Sequence, residues 1–534
     1  MARNGLWGVI LLILSFFLSC QNTGGRVAST TPQEIESYIR FLSDDLLEGR
    51  VTGRRGVAIA ALYQENFFRG LGMEPCFGKS YRQPFALTGT LADKSTHFEV
   101  ISNKQKMIFR IYKDFAMTSE REDTPEEIDS ELVYGGYLIQ APEREWDDIK
   151  GTDLKGKVLL VEVNEPGNYP GGIFDGEDMT YYGRWTYKFE KASELGAAGV
   201  FIIQGSRASA SWARPQFFLP DKASRLYFQG WLQEQAASQA LEAAGFKREE
   251  LLAQAEKPDF KPVPLGLKIR VRQKPAFFSV ETDNIAALVR GRHPQRKDGY
   301  IVLSAHYDHL GRDPNREGDQ IYNGAVDNCS ASACLLALAR YYSQCPEELR
   351  VNLVFLAPAA EEEGLLGSEY FVRHLPFADS SVLANINFEM TNVWGKTEDV
   401  YAIGGKHSDL EDTCRQAAEN LGLEYIPERL GEIGYFFRSD QLSFVRGGIP
   451  GVWLHEGVTS QGEDKEYASR KGEEYRRTKY HRVIDEVEED WDLSGTVQIT
   501  DWAREIISLL SQSKDIPDFK PTSPYKREGQ KSSL

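Results

Sequence analysis

The chain has 534 residues, too many for one hydrophobic core, so about two to four domains are expected. With 41% hydrophobic and 26% charged residues, its composition is that of a globular protein, not a disordered one. A formal net charge of −17 excludes a basic nucleic-acid surface and a charge-driven hold on anionic lipid, and reads as a solubility feature. In chain order, Arg3 supplies a positive start and residues 6–18 an apolar run broken only by Gly8 and Ser15. That run is too short to span a bilayer and has the form of a signal-peptide core, giving a signal peptide over 1–19.

The run ends in Phe17-Leu18-Ser19-Cys20, which resembles a bacterial lipobox, where a small residue precedes a cysteine that becomes lipid-modified. Phe17 and Leu18 depart from its commonest form, so ordinary signal-peptidase cleavage is the alternative. The resemblance implies an exported protein, an outer-membrane lipoprotein facing the periplasm, with a lipid at Cys20 as its sole membrane attachment; secretion is the alternative. Residues 20–31 would be a polar tether. The five other cysteines, Cys76, Cys329, Cys334, Cys345 and Cys414, lack metal-finger spacing and are read mostly as small buried apolar residues.

Residues 32–125 open with helical spacing at Ile35, Tyr38, Ile39 and Leu42, a Gly/Arg loop at 47–50, and a second helix with Ala58, Leu62 and Phe67 among its apolar positions. Residues 126–279 differ in texture: a strand at 132–137 running into a Gly turn, a strand at 158–163, a helix at 189–196 and a strand at 197–203. An exposed connection carries Tyr169, Pro170, Gly171 and Gly172. This segment reads as inserted, because the patterns on either side complete one another. Residues 280–512 alternate strands (300–303, 351–356, 382–388, 450–454) with helices such as 327–342, the signature of an α/β fold with a mainly parallel sheet between helices. Residues 513–534 are expected to be a loose polar tail.

Seven of the eight histidines lie after residue 290. His306 and Asp308 follow the first strand of the α/β region, Asp327 opens the next helix, and Glu361, Glu362 and Glu363 follow another strand. Glu389 ends a further one, and His481 comes after the last. Ligands of open α/β sheets bind beyond the carboxyl ends of strands, so these residues converge, and imidazole with carboxylate is a zinc donor set. Two divalent ions about 3.5–4 Å apart need a shared anion, a role open to Asp327, and a further unbound carboxylate to take a proton. His309 and His455 compete as ligands; His309 is read as lying behind the metal set, His455 equally as a cleft or core residue. His97, His293, His374 and His407 read as surface residues, and Met390, Tyr435, Phe436, Phe437 and Trp453 as a side-chain pocket or ordinary core.

The motifs His306-Tyr307-Asp308-His309-Leu310-Gly311, Asn323-Gly324-Ala325-Val326-Asp327-Asn328 and Ala360-Glu361-Glu362-Glu363-Gly364 resemble the co-catalytic zinc exopeptidases. So do Asn387-Phe388-Glu389-Met390, Arg438-Ser439-Asp440 and Tyr480-His481 with Asp485. That family includes secreted bacterial aminopeptidases and glutamate carboxypeptidases. The segment holding Asp153 to Lys157 and Met179 to Trp185 resembles its protease-associated insert, and the Glu48-Gly49-Arg50 loop also fits. The resemblance implies a zinc exopeptidase fold with a β-rich inserted domain. It also implies two zinc ions, one on His306 and Glu389, one on Glu362 and His481, bridged by Asp327. Glu361 would be the general base and Asp308 would fix the tautomer of His306. The family commonly has Asp where this chain has Glu389, so a single ion is an alternative. The implied activity is removal of N-terminal residues from peptides. Carboxypeptidase, glutaminyl-cyclase-like chemistry and a non-catalytic binding protein are the other readings, and oligomeric state is not legible.

Overall fold

The computed structural model describes residues 29–102, 106–204, 214–292, 299–378 and 381–527; the apolar run at 6–18, Cys20 and His293 lie outside them. Thr31 caps the first helix, Pro32–Leu42, its hydroxyl accepting from the Glu34 N–H at 3.2 Å, and Pro32 sits in the first turn, where no donor is needed. Ile35, Tyr38, Ile39 and Leu42 form one buried stripe against the Ala331–Gln344 and Ser494–Gln512 helices. Each contributes about 1.5–3 kcal/mol by burial, so docking holds this helix more than its own propensity does. The second helix, Arg55–Gly70, buries Val57, Ala60, Ala61 and Phe68; Leu62 faces solvent.

The main sheet runs through β1 (Arg82–Leu91), β2 (Gln216–Phe218), β3 (Ala276–Val289), β4 (Tyr300–Ser304), β5 (Asn352–Ala357), β6 (Val382–Phe388), β7 (Asp399–Ile403), β8 (Glu424–Tyr425) and β9 (Gly451–Glu456). Their spatial order is β2-β1-β3-β5-β4-β6-β9-β7-β8. The four central strands β5, β4, β6 and β9 are parallel, and β1–β3, β3–β5 and β9–β7 are antiparallel. Ile301, Leu303, Leu353 and Phe355 face the helices at 331–344 and 494–512; Val302, Val354 and Leu356 face Phe371 and Phe444 on the other side. Burial on both faces explains why these strands read as unbroken apolar runs. The fold is α/β with a mixed, parallel-centred sheet, as the alternation of elements predicts.

A second, eight-stranded sheet has its own core. Its strands are 97–101, 106–110, 115–118, 127–134, 158–162, 199–204, 228–233 and 263–272. The boundary expected at 126 therefore moves: three strands of this sheet precede it. Those strands alternate weakly and abut β1 without a composition break. Conversely, β2 lies within the expected insert yet pairs with β1 of the main sheet. The chain leaves the main sheet at Leu91 and re-enters beside it, since Ala276 is the register partner of Leu91.

The expected loose tail is also corrected as far as residue 527. Tyr525 is buried, and Arg527 donates to the carbonyls of Val382 and Leu383 at 3.1 and 2.7 Å. No helix among the described residues is long and apolar enough to cross a membrane.

Candidate metal centre

His306 lies two residues beyond β4, Glu361 and Glu362 beyond β5, and Glu389 directly after β6, so three neighbouring parallel strands deliver their side chains to one end of the sheet. Asp327 does not open a regular helix. It sits at φ −103°, ψ 94° in the irregular Ala325–Ser330 turn, and the regular helix starts at Ala331. The carboxylate of Asp485 fixes that turn by accepting from the N–H groups of Val326 (2.9 Å) and Asp327 (3.1 Å) and from the Tyr475 hydroxyl (2.9 Å). Arg50, from the Gly/Arg loop, is fully buried and donates to the carbonyls of Tyr307, Leu42, Asn323 and Gly324, tying together two of the motifs.

The two oxygens of Asp327 face different imidazoles. Oδ1 lies 3.6 Å from His306 Nε2, and Oδ2 lies 3.1 Å from His481 Nε2. His306 Nε2 is also 3.1 Å from Glu389 Oε1, and His481 Nε2 is 3.3 Å from Glu362 Oε2. Two donor clusters thus share one carboxylate. Glu361 lies beside the first, its Oε2 3.6 Å from His306 Nε2. His309 Nδ1 is 2.6 Å from Glu362 Oε1, the oxygen turned away from His481, and its buried Nε2 has no hydrogen-bond partner among the described residues. A different grouping of the same atoms puts His309 with Asp327 and Glu362, and Glu361 with His306 and Glu389. The first grouping uses Glu362 Oε2 and leaves Oε1 to His309, so each carboxylate oxygen has one role.

Asp308 lies behind His306 and also reaches the Glu run. His306 Nδ1 is 3.2 Å from the Asp308 backbone carbonyl and 3.7 Å from its carboxylate. The carboxylate accepts instead from the N–H groups of Glu361 (3.1 Å) and Glu362 (3.3 Å), so it chiefly orients the Glu run. Glu389 is held by the Ser439 hydroxyl at 2.7 Å, and the indole of Trp453 donates to the Glu389 carbonyl.

The site concentrates negative charge out of water. Burial, reinforced by Glu389, Glu362 and Asp440, pushes Glu361 well above the usual carboxylate range, against the pull of His306. Burial also raises Glu389, and it pushes Asp440 up to about 7. Burial opposes ionisation of Glu362 too, but His481 and His309 outweigh it and hold that carboxyl low. Four carboxylates facing two metal-facing imidazoles are short of positive charge, and divalent cations of the kind bound by nitrogen and oxygen donors supply it. The residues present therefore fit a metal pair.

Asp327, Glu361, Glu389, Met390, Tyr435, Arg438, Trp453, Tyr480 and His481 line a narrow cleft. Of the aromatic candidates, Tyr435 and Trp453 line it, while Phe436 and Phe437 belong to the core beside it. His455 stacks on Tyr401 at 4.7 Å, inside that same structure. His407 is not a bare surface residue, since its ring packs 4.6 Å from Phe436 and 5.2 Å from Tyr525. The carbonyl clamp of Arg50 was missed by sequence reasoning: its motif was visible, but which carbonyls it would serve was not.

Residues 284–506 match the model of Peptidase family M28. The chain is 25% identical over 304 residues to aminopeptidase YwaD of Bacillus subtilis (strain 168), covering 56% of this chain and 53% of that protein. It is 30% identical over 180 residues to endoplasmic reticulum metallopeptidase 1 of Rattus norvegicus, 33% of this chain and 19% of that one. The chain thus spans about half or less of the length of these curated relatives. Among solved structures, an aminopeptidase from Aneurinibacillus sp. strain AM-1 shares the fold, with a TM-score of 0.54 and 20% identity over 91% of this chain and 95% of that chain. The segment 284–506 that matches the model of Peptidase family M28 contains His306, Asp308, Asp327, Glu361, Glu362, Glu389 and His481.

Proposed function

We propose that this chain is a zinc-dependent aminopeptidase. The observation that carries the reading is the pair of donor clusters sharing Asp327, each with one imidazole and one further carboxylate. His306 and Glu389 would hold one ion, His481 and Glu362 the other, with Asp327 between them. Bound zinc polarises a carbonyl and lowers the pKa of water. Glu361 is left free of the two sets, and its raised affinity for a proton suits it to accept one from water and deliver it to the departing amine. Asp308 positions Glu361 through its backbone. The cleft is narrow and walled by Tyr435 and Trp453, which favours entry of a chain end over a chain middle, and the relatives named as aminopeptidases support the N-terminal end.

Paired substitutions test the reading. Glu361→Gln is expected to lower turnover of aminoacyl-p-nitroanilides by about 10²–10⁴ with zinc content near two per chain. Glu362→Gln is expected to lower zinc content, because a neutral amide is a poor ligand. Full activity in both variants would place the chemistry elsewhere. Release of C-terminal residues only, or cyclisation of N-terminal glutamine, would assign the scaffold to the other reactions.

Export with a lipid at Cys20 and a protease-associated character for the second sheet form part of the same proposal, supported by the Ser19-Cys20 junction after the apolar run and by the motifs at 153–157 and 179–185. Cys20→Ala is expected to move the protein from the membrane to the soluble fraction.

A further inference from the structure

The two oxygens of Glu362 are held separately. Oε2 faces His481 Nε2 at 3.3 Å, and Oε1 lies 2.6 Å from His309 Nδ1. At the backbone, the Glu362 N–H donates to the Asp308 carboxylate at 3.3 Å. His309 is fixed by its own surroundings. It is 1% exposed, and its N–H donates to the Arg50 carbonyl at 3.2 Å. Its ring lies against Gly324, where an added Cβ would stand 2.6 Å from the ring Cδ2.

Distance decides between the two jobs open to this ring. Two ligands of one tetrahedral zinc, each about 2.0–2.1 Å from the ion, stand about 3.3–3.4 Å apart. The pairs His481–Glu362, His481–Asp327, His306–Glu389 and His306–Asp327 lie at 3.3, 3.1, 3.1 and 3.6 Å. His309 Nδ1 and Glu362 Oε1, at 2.6 Å, are too close to share an ion and stand at the spacing of a short hydrogen bond. Nε2 of His309 has no hydrogen-bond partner among the described residues, so the ring's hydrogen bond there is the one from Nδ1, with Glu362 accepting. Glu389 is built alike: Oε1 faces His306, and Oε2 accepts from the Ser439 hydroxyl at 2.7 Å. Each of these carboxylates turns one oxygen inward and has the other occupied. A carboxylate free on both oxygens can chelate an ion with both; one tied back gives up a hydrogen bond to do so.

We propose that His309 is a positioning residue of the second metal site: by donating from Nδ1 it restricts Glu362 to one oxygen at that ion and keeps a position there for water or substrate. An open position is what separates a catalytic zinc site from a structural one. The inference rests on the zinc reading above and adds to its ligand set the residue that limits how one ligand binds.

Two variants of the full-length protein test it. His309→Leu removes the donor, and His309→Asn puts a carboxamide N–H close to where Nδ1 stands. Competition with a chromophoric chelator is expected to show one of the two zinc ions held about 10–100-fold more weakly in His309→Leu, and within about threefold of the wild type in His309→Asn. In the cobalt-substituted protein, the visible absorption of His309→Leu is expected to weaken toward that of a higher coordination number, as Glu362 brings in its second oxygen, and to recover in His309→Asn. Lost packing alone would leave the cobalt spectrum unchanged. Should His309→Leu not fold, His309→Phe, which keeps a ring and lacks the donor, takes its place. Unchanged affinity and spectrum without the donor overturn the proposal, as does equal loss in the Asn variant. X-ray absorption of the wild-type zinc protein is expected to give one imidazole per zinc; three for every two zinc ions would make His309 a ligand and overturn it too. Zinc bound without turnover of any peptide would overturn the peptidase reading and leave the role of His309 standing, whereas no zinc in the wild type would overturn both.

Discussion

Arg50 is a buried guanidinium group answered by carbonyl oxygens alone. Arg50 serves the carbonyls of Leu42, Tyr307, Asn323 and Gly324. Arg50→Met would leave those oxygens buried without donors, so a loss of about 3–5 kcal/mol is expected, read as a lower urea midpoint. Zinc affinity should fall with it, because Gly324 begins the turn holding Asp327. A midpoint within error of the wild type would show the clamp to be idle. Sequence spacing brought out the candidate donors His306, Glu361, Glu362 and Glu389 because each follows a strand end, where an acid or imidazole is out of place in an apolar run, whereas Asp327 lies in an irregular turn and His481 follows a helix. The partners of Arg50 were not legible, since three of the four carbonyls it serves lie more than 250 residues away.

At the scale of elements, the segment from 513 to 527 looked polar and free. Its three anchoring residues, Phe519, Tyr525 and Arg527, are spaced without period, so no pattern announced them. Tyr525 closes over His407, and burial, aided by Lys406 and Lys520, pushes that imidazole down to about 3. The unfolded imidazole titrates near 6.5, so between the two values the unfolded chain binds more protons than the folded one. This contribution to stability is complete above about pH 6.5 and is lost as pH falls toward 3. His407→Gln is expected to flatten the acid limb of the stability curve by about 1–3 kcal/mol at pH 4. Truncation after Gln512 is expected to lower the thermal midpoint at neutral pH, where His407→Gln has less effect. Equal acid sensitivity in wild type and His407→Gln would remove the histidine from the account.

For the whole molecule, the alternation of strands and helices was enough to give the α/β class and the parallel centre of the main sheet. The extent of the second sheet was not, because its first three strands carry no signal separating them from β1. The register pairing of Leu91 with Ala276 has a direct test. Replacing 92–275 by Asn-Gly, which suits a two-residue hairpin, is expected to leave a folded, less stable protein that still binds zinc, since no metal donor lies in the removed part. Metal content and circular dichroism read the result, and loss of both would show that the main sheet cannot form without its inserted partner.

The same connectivity sets an order of events during synthesis. Every strand of the second sheet is synthesised before His306, and His481 follows Arg272 by about 200 residues, or about 10–40 s at ordinary elongation rates. Meanwhile the helix Pro32–Leu42, which meets Arg55–Gly70 through the Tyr38–Phe67 and Phe41–Tyr63 ring pairs, still waits for the helices at 331–344 and 494–512 against which its apolar stripe packs. The nascent chain therefore carries a finished domain between an exposed apolar stripe and an unmade metal site, and that stripe is where a chaperone would be engaged longest.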